Sequence, residues 1–145
     1  MAEQGPLTGI TIEDPGTEAF GRLVERLGGE NPELSPWDRR TFSAVLRGDD
    51  GALLGGAHAI LNMGLVEIRG LWIAPALRGR GLGLRLMETI EREARARGMT
   101  RAALDTYDWQ ARGFYEKLGY RVFGSLDYPA GAQRFYMVKE LPPPG

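Results

Sequence analysis

Apolar residues along this chain follow two rhythms, a spacing of three and four that marks helices and a strict alternation that marks strands. Ile10 and Ile12 fall on one face of a short strand predicted over Thr8 to Ile12. Thr17 to Leu27 reads as a helix, with Thr17 as its cap and Phe20, Leu23, Val24 and Leu27 at helical spacing, stopped by Gly28-Gly29. Pro32 to Pro36 reads as a loop or a short helical piece. Arg40 to Leu46 alternates, and Gly48-Asp49-Asp50-Gly51 turns it into a second strand, Leu53 to Leu61. Asn62-Met63-Gly64 turns again, into Leu65 to Ile73.

After Pro75 and a glycine-rich stretch, Leu82, Leu86, Ile90 and Ala94 recur in steps of four, with Met87 beside them. Glu88, Glu91, Arg92 and Arg95 are expected to cover the solvent side of that helix, and Gly98 closes it. Arg101 to Thr106 is the next strand, Trp109 to Leu118 a second helical segment, and Tyr120 to Phe123 and Gln133 to Lys139 the last two strands. The order β-α-β-β-β-α-β-α-β-β predicts a mixed α/β sheet, mostly antiparallel, with helices on both faces. The βαβ unit forces one parallel pairing. One domain is expected over residues 8–141, with loose termini at 1–7 and 142–145.

Composition narrows the function. The chain has 145 residues, of which 43% are hydrophobic and 26% charged, the balance of an ordinary globule. Eighteen basic and nineteen acidic residues leave a formal charge of -1, with no general pull toward nucleic acid or an anionic membrane. There is no cysteine, so disulfides, thiolate nucleophiles and cysteine metal sites are excluded. The single histidine, His58, cannot make a metal site by itself and reads as a structural strand residue. No apolar run is long enough to span a membrane, and the first residues do not resemble a signal peptide; a cytoplasmic setting is the expectation.

The 21 glycines are unusual, and they cluster where chemistry is expected. In Arg78-Gly79-Arg80-Gly81-Leu82-Gly83 a strand runs into a glycine turn that opens a helix. Glycines let backbone N–H groups converge on an anion, and the helix N-terminus adds positive partial charge. Arg78, Arg80 and Arg85 add full charges, so a pyrophosphate is the natural ligand. The spacing matches neither phosphate loop of nucleotide-binding folds. No lysine follows the glycines, and Leu84 or Leu86 stands where the dinucleotide fingerprint needs its last glycine.

The turn resembles the signature of the GNAT superfamily of acyltransferases, Arg/Gln-x-x-Gly-x-Gly/Ala between a strand and a helix, carried here by Arg78, Gly81 and Gly83. Ala111-Arg112-Gly113-Phe114-Tyr115-Glu116-Lys117-Leu118-Gly119-Tyr120 is similar to a second element of that family, A-x-x-F-Y-E-K-x-G-F. The resemblance covers nearly the whole chain, the N-terminal third in pattern only.

It implies an N-acetyltransferase using acetyl-CoA without a metal, the acetyl group passing by direct attack to an amine of a small molecule. A protein N-terminus or lysine as acceptor, or a silent acyl-CoA-binding module, are the alternatives. It implies a pantetheine arm between two splayed parallel strands, Leu65–Ile73 and Arg101–Thr106. Leu71 and Ile73 would offer backbone groups to its amides, with Trp72 between them also in the cofactor site, and Arg78, Gly79, Arg80, Gly81, Leu82 and Gly83 would hold the pyrophosphate. Gln110 would meet the pantetheine in place of the family's usual asparagine, because Asp108, which stands there, cannot donate when ionised. Tyr115 would give a proton to the departing CoA thiolate, against the plain reading of an aromatic core residue. Glu67 would take the proton of the attacking amine, directly or through water, against the plain reading of an exposed glutamate facing Arg69. Trp37, Trp109 and Tyr128 are candidates for lining an acceptor pocket, although packing explains each as well. No nucleic acid or membrane partner is expected, and a homodimer is left open.

Overall fold

The computed structural model describes residues 9–29 and 40–144. These fall into two compact units, one within residues 1–36 and one within 37–145. In the first, α1 spans Glu18–Gly29. Its cap is the one predicted, with Thr17 Oγ1 accepting from the backbone N–H of Phe20 at 3.2 Å. The strand expected over Thr8 to Ile12 is not formed: residues 9–12 take no strand conformation, and Ile10 and Ile12 are exposed. A strand needs a neighbour to satisfy its backbone, and none pairs with this segment among the described residues. The loop predicted at Pro32 to Pro36, and Trp37, lie outside the described residues.

The second unit is a six-stranded sheet in the order β1-β2-β3-β4-β6-β5. Its strands are β1 (Arg40–Arg47), β2 (Leu53–Asn62), β3 (Leu65–Ile73), β4 (Arg101–Tyr107), β5 (Arg121–Asp127) and β6 (Gln133–Glu140). Helix α2 (Leu82–Ala96) joins β3 to β4, and short α3 (Arg112–Lys117) joins β4 to β5. Only β3 and β4 run parallel; every other neighbouring pair is antiparallel. Helix α3 is shorter than the segment predicted over Trp109 to Leu118, because residues 108–110 form a turn instead. No helix among the described residues is long and apolar enough to cross a membrane.

One face of the sheet carries the core. Ala59, Leu61, Val66, Ile68, Ala102, Leu104 and Met137 project from the strands and pack against Leu86, Met87, Ile90 and Ala94 of α2. Burying a side chain such as Ile90 contributes about 1.5–3 kcal/mol. Phe114 and Tyr115 of α3, and Leu118 at its C-cap, join this same cluster, so α2 and α3 share a face.

The alternation of β3 is broken once. Ala57 pairs with Leu71 and His58 with Arg69, which leaves Gly70 as an extra residue at φ 87°. This bulge resets the phase of the strand. Before it, Val66 and Ile68 point to the helix face; after it, Leu71 and Ile73 pack there, while Trp72 is exposed. Without the bulge, Leu71 and Ile73 would turn away from the helices.

Candidate active site

The predicted glycine turn forms where β3 meets α2. Ala74 donates its N–H to Leu54 O at 2.8 Å, fixing the strand end, and a 3-10 turn over Pro75–Leu77 follows. Gly79 and Gly81 both lie in the left-handed region, at φ 79° and 76°, where a side chain would cost roughly 1–2 kcal/mol. Gly81 is also the N-cap of α2 and offers no side-chain cap. The leading N–H groups of the helix therefore have no intrahelical partner and sit at the positive end of its dipole. A Cβ built on either glycine would meet nothing within 4 Å, so open space lies over both. A cleft of about 700 Å³ adjoins the turn, lined by Leu71, Trp72, Ile73, Arg78, Gly79, Gly81, Leu82 and Gly83 among others. Uncapped donors, left-handed glycines and open space fit an anion such as a pyrophosphate.

The arginines divide their labour. Arg78 Nε donates to Ile73 O at 3.0 Å, tying the end of β3 to the turn. Arg80 belongs to the same turn but is not part of the cleft lining.

The two parallel strands splay. They pair through Leu65 with Arg101, Val66 with Ala102 and Glu67 with Ala103, and no further. From residue 68 onward the edge of β3 that faces β4 has no strand partner. Ile68, Gly70 and Leu71 on one side, and Leu104, Asp105, Thr106, Gln110, Ala111 and Tyr115 on the other, line a pocket of about 220 Å³ in this split. Leu71 and Ala111 line both the pocket and the 700 Å³ cleft, which makes the two neighbours.

Tyr115 reaches the split because α3 seats its ring edge-on to Phe114 and Tyr120, at centroid distances of 5.2 and 6.1 Å. Burial, and then the charge of Asp105, raise the pKa of its phenol above the ordinary tyrosine value. At neutral pH it is therefore a proton donor. Gln110 closes the turn before α3 and lines the pocket, and its Oε1 accepts from the N–H of Tyr107 at 2.9 Å.

Glu67 sits at the last parallel pair, just where the split begins. Its side chain leaves the core side, is 41% exposed and accepts from Arg69 Nη1 at 2.6 Å. It does not line the split pocket. His58 is a satisfied strand residue, with Nδ1 2.9 Å from Ser43 Oγ.

Sequence reading passed over Asp105. It lines the split beside Tyr115, and its carboxylate pairs with Arg134 of β6. The Tyr107 hydroxyl and then Arg134 hold the Tyr128 phenol below its ordinary pKa. Asp105 and Arg134 stand 29 residues apart, and only the β4–β6 register joins them. An acidic residue directly after the apolar run Ala102-Ala103-Leu104 was the available signal.

Comparison with known proteins agrees with this geometry. The family model described as Acetyltransferase (GNAT) family matches residues 14–120. The chain is an acetyltransferase of the GNAT family. It is 38% identical over 133 residues to the blasticidin-S acetyltransferase of Streptomyces morookaense, covering 90% of this chain and 94% of that one. A crystal structure of an acetyltransferase from Bacillus cereus superposes with a TM-score of 0.74 at 27% identity, over 91% of this chain and 98% of the other. Nourseothricin acetyltransferase superposes with a TM-score of 0.61 at 26% identity, over 70% of this chain and 66% of the other.

Proposed function

We propose that this acetyltransferase moves the acetyl group of acetyl-CoA to a primary amine of a small molecule in a ternary complex. The observation that carries the reading is the split between β3 and β4, which opens beside the glycine turn and is lined by a protonated phenol. A small-molecule acceptor is supported by the relatives named for blasticidin S and nourseothricin.

In this reading the backbone N–H groups of Gly79 to Gly83 hold the pyrophosphate, and Leu71, Trp72 and Ile73 lie along the pantetheine. Gln110 donates to the pantetheine from the opposite side of the split. The amine nitrogen attacks the thioester carbonyl carbon; a C–N bond forms as the C–S bond breaks. The departing thiolate takes the proton of Tyr115, and the proton that the attacking nitrogen sheds on becoming an amide returns through water to the phenolate. An alkyl ammonium with a pKa near ~10.4 must first lose a proton, and Glu67 receives it through water once it is released from Arg69. No step needs a metal.

The test is acetyl transfer to a panel of small amines, followed by thiol release, with CoA binding measured separately by calorimetry. Thiol released with an amine and unaffected by chelator supports the reading. Tight CoA binding without transfer to any amine would make the chain a silent acyl-CoA-binding module, and transfer to peptide N-termini or lysines alone would move the acceptor class to proteins.

A further inference from the structure

Trp109 stands in the turn between β4 and α3, large, apolar and 66% exposed. Its position is nonetheless built. The indole stacks on the Tyr107 ring at 4.5 Å between centroids and 14° between planes. Tyr107 is fixed in turn, with its hydroxyl 3.4 Å from that of Tyr128. The Arg134 guanidinium lies 5.6 Å from the Tyr107 ring centroid and is itself anchored by Asp105. The result is an ordered stack of cation, phenol and indole, on which a ligand would freeze little side-chain motion.

The stack also stands beside the site. Asp105 and Tyr107 are two residues apart on β4, so they share a face of the sheet and lie about 7 Å apart. Asp105 lines the split with Tyr115. Gln110, the residue after Trp109, also lines the split, so Trp109 adjoins the pocket wall.

We infer that the indole of Trp109 is the recognition platform for a planar ring of the acceptor, so that the preferred amine is an aromatic or heteroaromatic one on a short aminoalkyl arm. The surface offered is a flat π-face rather than a groove, which suits a ring better than an aliphatic chain. The inference rests on the reading above only in placing the reacting amine at the split; ring recognition is a binding property and is measured as one.

The experiment uses the full-length protein with CoA and two primary amines, 2-phenylethylamine, which carries an aromatic ring, and n-butylamine, which carries none. Binding is followed by ligand-observed NMR and thiol release by steady-state kinetics. The wild type should bind the ring-bearing amine more tightly. Trp109→Ala should weaken that amine about tenfold or more, the usual cost of a lost ring stack, and leave butylamine unchanged. Trp109→Leu, which keeps apolar bulk but not a flat π-face, should behave like alanine, and Trp109→Phe should retain most of the preference. No ring preference in the wild type, or equal effects on both amines, overturns the inference. Ring-selective binding with no thiol release from any amine leaves the platform standing and removes the transferase reading instead.

Discussion

A methyl group on Gly83 would rest 3.4 Å from the Phe114 ring and 3.6 Å from Leu71, where α2, α3 and β3 converge. Gly81, two residues earlier, has open space but a left-handed backbone. One glycine is constrained by conformation, the other by neighbours at ordinary contact distance. Gly83→Ala should therefore be close to neutral, since alanine is the better helix former and the methyl just fits. Gly81→Ala should lose roughly 1–2 kcal/mol and weaken CoA binding. Paired thermal melts and CoA calorimetry check both. Equal behaviour of the two variants would show that conformation does not single out Gly81.

Gly81→Glu should abolish CoA binding while the protein stays folded. It puts a carboxylate into the open space beside the uncapped helix start, where an anion is expected. Calorimetry beside circular dichroism reads it, and unchanged affinity would sink the phosphate assignment.

Tyr115→Phe keeps the ring contacts with Phe114 and Tyr120 and removes only the hydroxyl. If the phenol protonates the thiolate, kcat should fall ~10²–10⁴-fold while acetyl-CoA affinity holds. Burial and Asp105 raise its pKa, so any alkaline limb of the rate profile owed to Tyr115 lies above the ordinary tyrosine value of about 10. That limb should vanish in the variant. Full kcat would return Tyr115 to a packing role.

Glu67→Gln separates a base from a surface ion pair. If Glu67 accepts the amine's proton, the pH–rate profile should move toward higher pH. If its partner Arg69 is its whole role, the profile should stay put and stability should change by less than about 1 kcal/mol, as expected of an exposed pair.

Glu91 joins α2 to the sheet end, accepting from Tyr120 Oη at 2.8 Å and Lys139 Nζ at 2.7 Å. Glu91→Ala strands both donors and should cost about 1–3 kcal/mol, a drop of several degrees in Tm. Burial first, then Glu91, push the Tyr120 phenol above its ordinary value. Below pH ~10 folded and unfolded chains both hold that proton, so it adds no pH dependence. Above it the unfolded chain ionises first, and stability should fall as pH rises. Melts from pH 8 to 11 should show that decline, and Tyr120→Phe should flatten it.

Much of this was legible in the sequence because it is local. The span Leu65–Ile73 was bounded by turns on both sides, the face of α2 by its four-residue steps, and the glycine turn by its own composition. The bulge at Gly70 was not, since it exists only as a mismatch against His58 on another strand. Trp109 was expected to begin a helix, but the Gln110 side chain takes the N–H of Tyr107 and makes a turn there. Asp105 was missed because its partner, Arg134, comes from a strand that chain order alone does not set beside β4.

The parallel ladder of β3 and β4 has only three rungs, while the other four junctions run nearly the length of their strands. Mechanically the sheet is two three-stranded leaves stitched at one corner. A molecule lodged in the gap becomes a splint, bonding to both leaves where the protein does not bond to itself. Its occupancy should stiffen the seam as well as supply a reactant: amide exchange along residues 68–73 should slow on CoA binding, and the Tm should climb with ligand concentration. At a hundredfold excess over Kd the gain is about 2.7 kcal/mol. An enzyme built this way is least coherent when empty, and gains much of its rigidity from what it binds.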